Sequence, residues 1–247
     1  MRASRPYIAL MRSGLGRSTR ALAVACALTA LVATAAGAAS QSADSAIARA
    51  GAFVASDFPE GFAPSASSEK SHADNIRLAK GVDGCAPYVT LQKSVASLPQ
   101  VKSSRFADAT RSVGNEVDVF PSDRAATAAL VLYAKPSVVG CLENLFEKQA
   151  RQDPESRDSL DDVVVELDRQ DIAGLGDDSV VYEGSIVLTG TDGSTVKVGI
   201  GSAAVRVGRA VDVVTYTTTG EELTEVLTPA IDASASRLRS ALARSGS

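Results

Sequence analysis

The segment Val180 to Thr217 reads VVYEGSIVLTGTDGSTVKVGIGSAAVRVGRAVDVVTYT and contains three runs rich in β-branched residues. The loop between the first two runs, Thr189 to Ser194, carries an Asp-Gly pair of the kind that favours β-hairpins, and Gly208-Arg209 separates the last two. Strands that are joined by such short reversals must run antiparallel. The segment therefore predicts consecutive strands in an antiparallel sheet.

Two further strands are predicted before this segment. Val163 to Leu167 is a β-branched run, and Asn115 to Phe120 alternates polar and apolar residues as a half-buried strand does. Between them, Ser122 is a predicted N-cap for a helix that ends at Tyr133. Pro136 interrupts this helix, and Ser137 is expected to cap a second one that holds Cys141 and ends before a charged loop, Gln149 to Ser159.

Apolar residues at helical spacing occur at both ends of the chain. They predict short helices over Ala43 to Ala55 and over His72 to Lys80, and a longer helical stretch over Gly220 to Arg244. Thr228 as an N-cap, with Pro229 as the first helical residue, is expected to split that last stretch into two helices. Helices with one apolar stripe need a sheet face to cover, so the predicted fold class is a layered α+β domain.

The first 39 residues have the pattern of a secretory signal peptide. Five arginines precede an apolar run from Ala21 to about Ala36, no acidic residue appears before Asp44, and small residues at Ala36 to Ala39 offer a cleavage site. We expect residues 1–39 to be a signal peptide and residues 40–247 to form a single exported domain. The alternatives are an uncleaved membrane anchor and a lipoprotein whose lipid is attached at Cys26, and membrane contact is expected only in those two cases.

Charge and composition disfavour several classes of partner. The full chain has 25 basic and 29 acidic residues, and loss of the five leader arginines leaves 20 against 29, a net charge of −9. This balance disfavours binding to nucleic acid or to an anionic membrane surface. With 4% aromatic residues and no tryptophan, a stacking platform for sugars or bases is not expected either. A pocket lined by aliphatic side chains stays possible, beside the simpler interpretation that these residues only form the core.

Cys85 and Cys141 are the cysteines that remain once the leader is removed. In an oxidising compartment two such thiols tend to pair, so we expect a disulfide between them. The loop of about 57 residues that it closes corresponds to roughly 4 kcal/mol of stabilisation by the chain-entropy argument. Two buried free thiols are the alternative, and a metal site is disfavoured because the chain has one histidine and no Cys-x-x-Cys spacing.

Motifs that suggest chemistry have simpler interpretations. The run Gly199 to Ala204 matches the Gly-x-Gly-x-x-Ala form of a dinucleotide-binding loop, but strand-like residues follow where a helix is needed. Its glycines are therefore expected to mark a bulge or close packing within a strand. His72, the only histidine, is expected at the surface, and no Gly-x-Ser-x-Gly motif accompanies it. No nucleophile–base pair is predicted.

Acidic pairs are the remaining candidates for a site. They occur at 161–162, 177–178 and 221–222, at predicted turns or helix starts where capping and solubility explain them. Asp177-Asp178 could bind calcium, but the Asp-x-Asp-x-Asp-Gly loop of known calcium sites is absent. We therefore expect no catalytic residue, no metal and no cofactor.

Several segments of the chain together form a pattern found in a known family. They are Asp57 to Phe62, Val117 to Ser122, Cys141, Leu175 to Asp178, and Val205 to Val211. Over about Ala43 to Leu242 the chain resembles the actinobacterial secreted proteins that share the extracytoplasmic sensor domain of PknH-type Ser/Thr kinases. More loosely, it resembles LpqN-type lipoproteins with a PsbP/Mog1-like fold.

This resemblance implies an α/β/α sandwich around a curved, mainly antiparallel sheet with a long C-terminal helix, and a role in binding an envelope ligand. The chain departs from the family in three respects. The kinase sensors have two disulfides where this chain can form one, and this chain has no kinase domain. It also lacks the lipobox cysteine that is expected of the lipoproteins. No site residues are carried over from the family for that reason.

The expected function is that of an exported, non-catalytic cell-envelope protein with a sensor-like or ligand-binding domain. Its ligand is expected to be a lipid, a small molecule or a cell-wall fragment held in a cleft between sheet and helix. A protein–protein interaction module for an envelope protein is the alternative, and a secreted hydrolase is the third interpretation. A cavity with converging polar groups favours the first, a flat exposed apolar patch the second, and a cleft holding two carboxylates with perturbed pKa values the third.

Overall fold

The computed structural model describes residues 35–65, 71–152, 157–219 and 224–245. The α-helices in this part of the chain are α1 (Ala35–Gly51), α2 (His72–Ala79), α3 (Ala86–Val95), α4 (Asp123–Tyr133), α5 (Pro136–Gln152) and α6 (Thr224–Ser245). The strands are β1 (Ala63–Ser65), β2 (Gln100–Lys102), β3 (Arg105–Ala107), β4 (Arg111–Val119), β5 (Leu160–Gln170), β6 (Asp178–Gly190), β7 (Thr195–Val207) and β8 (Ala210–Thr218). Single turns of 3₁₀ helix occur at Ala55–Asp57 and Arg157–Ser159.

The predicted leader lies mainly outside the described residues. Residues 1–34 of it are not described, and its last residues form the start of α1, which is continuous through the expected cleavage site after Ala38 or Ala39. Within the described ranges, no single helix is long and apolar enough to cross a membrane, and one pair, α4 with α5, passes that test together across a bend of 64°.

All eight strands belong to one antiparallel sheet. Its strand order is β1-β3-β4-β8-β7-β6-β5, and β2 pairs with β4 beside β3. The hairpin loop after Gly190 joins β6 to β7, and Gly208-Arg209 joins β7 to β8, as the sequence predicts. The antiparallel sheet, the helices and the 22-residue C-terminal helix confirm the α+β class.

Helices pack on both faces of this sheet because alternate strand residues point in opposite directions. Val180 and Tyr182 of β6 belong to a core shared with α3, α4 and α5. Val181 between them belongs to the opposite core, which it shares with α6. The helix α1 packs on this second face as well, where Ile47 contributes to a cluster with α6 and β4. The sheet is therefore the middle layer of three.

The predicted disulfide is present. Cys85, directly before α3, is bonded to Cys141 of α5, and their Cα atoms are 4.8 Å apart. Both residues are buried in the core between the sheet and the helices α3 to α5. The bond thereby fixes α3 and α5 against each other on one face of the sheet.

The predicted break at Pro136 is confirmed, but the two predicted helix caps, Ser137 and Thr228, are wrong. Pro136 is the first residue of α5, so Ser137 lies inside the helix and does not cap it, and α5 continues to Gln152 into the predicted loop. Pro229 lies inside α6, which is one continuous helix. Its missing amide removes one hydrogen bond near the helix start. Burial of Leu227, Ala230 and Ile231 against the sheet outweighs that loss.

Candidate functional site

A cleft of about 310 Å³ lies between the sheet and the helices α2 to α5. This volume is within the range of small-molecule sites. Its apolar wall comes from α5 on one side and from the inner face of the sheet on the other. The residues of this wall are Leu142, Leu145, Phe146, Leu167, Ile200 and Val213.

The polar end of the cleft is built around His72. Ser71 caps α2 by accepting a hydrogen bond from the amide of Asp74, which places His72 at the first position of the helix and beside strand β4. Its Nε2 atom lies 2.8 Å from Oε1 of Glu116 and its side chain is only 11% exposed. The expectation of a surface histidine is therefore wrong, because its partner comes from a strand whose approach the local sequence does not reveal.

Four further side chains surround His72 and Glu116. Nδ1 of His72 lies 2.7 Å from Oε1 of Gln92, and Nε2 lies 2.8 Å from Oε1 of Gln100. Nζ of Lys102 lies 3.2 Å from Oε2 of Glu116. Asp118 lies two residues beyond Glu116 on the same face of β4, and strand pairing places Gln100 opposite Asp118. We call the set formed by His72, Gln92, Gln100, Lys102, Glu116 and Asp118 the His72 cluster.

The charges of the His72 cluster follow from its contacts. The hydrogen bond to Glu116 outweighs burial and raises the pKa of His72 to about 9, so the ring is an imidazolium at neutral pH. Burial acts to raise the pKa of Glu116, but His72 and Lys102 outweigh it and lower that pKa. Burial, reinforced by the charge of Glu116, raises the pKa of Asp118 to about 8. Asp118 is therefore mainly protonated at neutral pH while Glu116 is ionised.

One buried acceptor of the cluster has no hydrogen-bond partner within the part of the chain that the structure describes. It is Oδ1 of Asp118, whereas Oε1 of Glu116, which is buried as well, faces Nε2 of His72. Asp118 is only 3% exposed and lines a smaller pocket of about 60 Å³ that adjoins the main cleft. A buried acceptor without a donor is costly, so this atom distinguishes the cluster from an ordinary surface ion pair.

Tyrosines form the wall between the apolar and polar parts of the cleft. The Tyr133 hydroxyl donates to Oγ of Ser202 at 2.7 Å, and the Tyr182 hydroxyl donates to the Tyr133 carbonyl at 2.6 Å. Burial raises the pKa of Tyr88, which also lines the cleft, to about 12. These hydroxyls therefore stay protonated and act as neutral hydrogen-bonding groups.

The other sequence motifs have structural roles. The run from Gly199 to Ala204 lies within β7, so no helix follows it as a dinucleotide site requires. A Cβ atom on Gly201 would lie 2.1 Å from Cζ of Tyr216, so this glycine makes room for that ring. The predicted close packing is confirmed.

The two acidic pairs that the structure describes are not brought together into a site. Oδ2 of Asp177 accepts a hydrogen bond from the amide of Gly208 at 2.7 Å and lies 3.8 Å from Nη1 of Arg206, and Oδ1 of Asp177 lies 3.7 Å from Nη2 of Arg239. Those contacts make it a structural link between a loop, the sheet and α6. Asp161-Asp162 lie at the start of β5, and the pair at 221–222 lies outside the described residues.

The His72 cluster is not predicted by any local sequence pattern. Alternation from Asn115 to Phe120 predicts a half-buried strand and places Glu116 and Asp118 together on its polar face. In the structure the helices α2 and α3 cover it. Two carboxylates on one face of a strand, beside a strand that offers Gln100 and Lys102, are the signal that could have suggested the cluster.

Comparisons with known proteins give only distant likeness. No protein-family profile matches the chain, and no curated protein does. Among solved structures, the extracellular domain of PknH from Mycobacterium tuberculosis is similar at 11% identity, over 64% of this chain and 76% of that one, with a TM-score of 0.36. The Saccharomyces cerevisiae Ran-binding protein Mog1p is similar at 11% identity, over 60% and 92%, with a TM-score of 0.19. Because both TM-scores are below 0.5, they support no statement about function.

Proposed function

We propose that this chain is a non-catalytic binding domain that holds a small amphipathic ligand in the cleft between the sheet and the helices α2 to α5. The observation that carries the proposal is the two-part lining of that cleft, apolar along α5 and β7 and charged at the His72 cluster. Export to the cell envelope, as the leader predicts, is part of the same proposal.

The charges at the polar end favour an anionic head group. Among the lining residues that the structure describes, His72, Lys102 and Arg105 bring three positive charges, and Glu116 brings one negative charge. Asp118, as the protonated acid, adds none. The cleft is therefore locally positive, although the formal net charge of the chain is −4. A carboxylate or phosphate at this end, with its hydrocarbon part along the wall from α5, matches both parts of the cleft.

A laurate titration tests this proposal. Chelator-treated full chain is titrated with laurate by calorimetry, alongside the variants Thr215→Trp and Thr195→Trp. Thr215 lines the cleft from β8, whereas Thr195 is an exposed residue at the start of β7. We expect saturable binding to the wild type and to Thr195→Trp, and at least tenfold weaker binding to Thr215→Trp, whose ring fills the cleft. Equal binding to all three proteins, or none to the wild type, contradicts the proposal.

A hydrolase is the second candidate, because Glu116 and Asp118 have opposite pKa shifts in one pocket, as acid–base pairs of enzymes do. Against it, Asp118 does not line the main cleft, so a substrate held there would meet Glu116 alone. Turnover of nitrophenyl esters or glycosides by the wild type and its loss in Glu116→Gln would replace the binding proposal with this one.

A further inference from the structure

We propose that His72, Glu116 and Asp118 form a binding site for a divalent transition-metal ion of the zinc type. One ligand atom from each of the three residues lies within 4.8 Å of the others. The three come from two elements, the first turn of α2 and the strand β4. The proposal revises the sequence-based expectation that the chain has no metal site.

The buried carboxylates are the first argument for a cation at this position. Oδ1 of Asp118, a residue only 3% exposed, is a buried acceptor with no hydrogen-bond donor among the described residues. Oε1 of Glu116 is also buried, and Nε2 of His72 is the group that faces it. Carboxylates that are removed from water normally pair with a cation or coordinate a metal. Lys102 contacts Oε2 of Glu116, which leaves Oε1 directed towards His72 and Asp118.

The orientation of His72 is the second argument. Its Nδ1 lies 2.7 Å from Oε1 of Gln92, and this contact suits an Nδ1–H that donates to the amide oxygen. Histidines that bind metals commonly donate their second ring N–H in this way, which fixes the ring and directs the other nitrogen at the ion. Here the other nitrogen, Nε2, is the atom that faces Glu116. Oε1 of Gln100, 2.8 Å from Nε2, is placed to be a fourth oxygen ligand.

Binding of the ion displaces the proton on Nε2 of His72 and the proton on Asp118, which are released to water, and it requires a small adjustment of the distances. Nitrogen and oxygen ligands lie about 2.0–2.2 Å from zinc, so two ligand atoms of one ion are at most about 4.4 Å apart. The three residues meet this limit after a side-chain shift of a few tenths of an ångström. One imidazole nitrogen with carboxylate and amide oxygens favours zinc or a similar transition metal, whereas calcium prefers an all-oxygen shell.

Zinc titration of the untagged, chelator-treated full chain tests the site. We expect one saturable site, with affinity at least tenfold lower in His72→Gln and in Asp118→Asn. Asp212→Asn is the matched control, because it replaces another buried aspartate with the same isosteric side chain on the opposite face of the sheet. Its zinc affinity should stay within twofold of the wild type. Calcium should bind far more weakly than zinc.

A spectroscopic readout separates direct coordination from an effect on folding. Cobalt(II) bound at the site should give visible d–d absorption that changes in His72→Gln, and melting curves without metal show whether each variant is folded. If Asp118→Asn does not fold, Glu116→Gln provides the equivalent loss of a ligand. Absence of saturable zinc binding to the wild type, or equal binding by the folded variants, overturns the proposal. The laurate experiment uses metal-free protein, so failure of either proposal leaves the other standing.

Discussion

Asn115 is the side chain through which four separate elements are hydrogen-bonded together. Its Oδ1 accepts from the amide of Phe53 at 2.9 Å, and its Nδ2 donates to the carbonyl of Gly51 and to Oδ1 of Asp212 at 3.0 and 2.8 Å. Ser234 of α6 contacts both Gly51 and Asp212 as well. The network joins the end of α1 to β4, β8 and α6 in a place that water does not reach, so each lost bond leaves an unpaired buried group.

We therefore expect Asn115→Ala to destabilise the fold by about 3 kcal/mol, because Phe53 and Asp212 lose their partner inside the core. Urea unfolding followed by circular dichroism measures the change. Asn144→Ala, at an exposed position of α5, is the matched control and should change stability by about 0.5 kcal/mol or less. Equal effects of the two substitutions would show that the network contributes nothing.

Asp212 makes the stability of the protein depend on pH. Burial outweighs the hydrogen bonds from Ser234 and Asn115 and raises the pKa of Asp212 to about 7, from an ordinary value of 3.8. The folded state therefore holds this proton more tightly than the unfolded state does. The resulting stability is fully present below about pH 4 and is lost as the pH rises through about 7.

Replacement of Asp212 by asparagine should remove this dependence, because the isosteric amide does not ionise and keeps an oxygen that accepts a hydrogen bond. Between about pH 4 and pH 8 the wild type should lose roughly 2–4 kcal/mol more than Asp212→Asn does, by linkage. Urea unfolding at several pH values gives both curves. Parallel curves for the two proteins would mean that Asp212 ionises in the folded state as it does in water.

At the scale of the elements, the close approach of β5 to β6 depends on Gly184. A Cβ atom at this position would lie 1.8 Å from the carbonyl oxygen of Glu166, which belongs to the backbone of β5 and cannot move aside like a side chain. Gly140 of α5 is the opposite case, since a Cβ atom there meets nothing within 4 Å. The two glycines form a matched pair on the same side of the sheet.

Gly184→Ala should destabilise the protein by about 2 kcal/mol or more, because β5 has to shift along its length. Gly140→Ala should stabilise it by about 0.5–1 kcal/mol, since alanine is the better helix former. Thermal unfolding of both variants and of the wild type shows whether each substitution lowers or raises the stability. If Gly184→Ala stabilised the protein instead, β5 would have to lie farther from β6 than it does in the structure.

Elements with strong local signals were predictable, and elements fixed by distant contacts were not. Ser122 caps α4 and Tyr133 ends it, as its sequence indicates, and the Asp-Gly loop joins β6 to β7. No sequence prediction covers the helix α3, in which Pro87 lies in the first turn, where proline is tolerated.

The candidate site was the least predictable part for a related physical reason. Strand alternation puts Glu116 and Asp118 on one face of β4, but burial of that face depends on the packing of α2 and α3. His72 reaches Glu116 across 44 positions in sequence, and no local pattern reports such a contact. The disulfide between Cys85 and Cys141 was predictable because a cysteine forms this bond only with another cysteine, and these two remain once the leader is removed.

For the whole molecule, the disulfide is the main covalent constraint. It closes a loop between α3 and α5, which form one side of the cleft. Reduction should cost about 4 kcal/mol and lower the Tm by roughly 8–16 °C for a chain of this size. Differential scanning calorimetry with and without reductant measures the change. The double variant Cys85→Ala/Cys141→Ala should melt low in both conditions, and an unchanged Tm on reduction of the wild type would exclude a stabilising bond.

Ligand occupancy of the cleft is the central claim about the whole molecule, and native mass spectrometry of the protein purified from its own cells tests it most directly. The wild type and Thr195→Trp should carry an added mass that denaturation releases as an anionic amphiphile. Thr215→Trp, with the cleft filled, should lack it. Protein that carries no such mass, or the same added mass on Thr215→Trp, would contradict ligand binding between the sheet and α5.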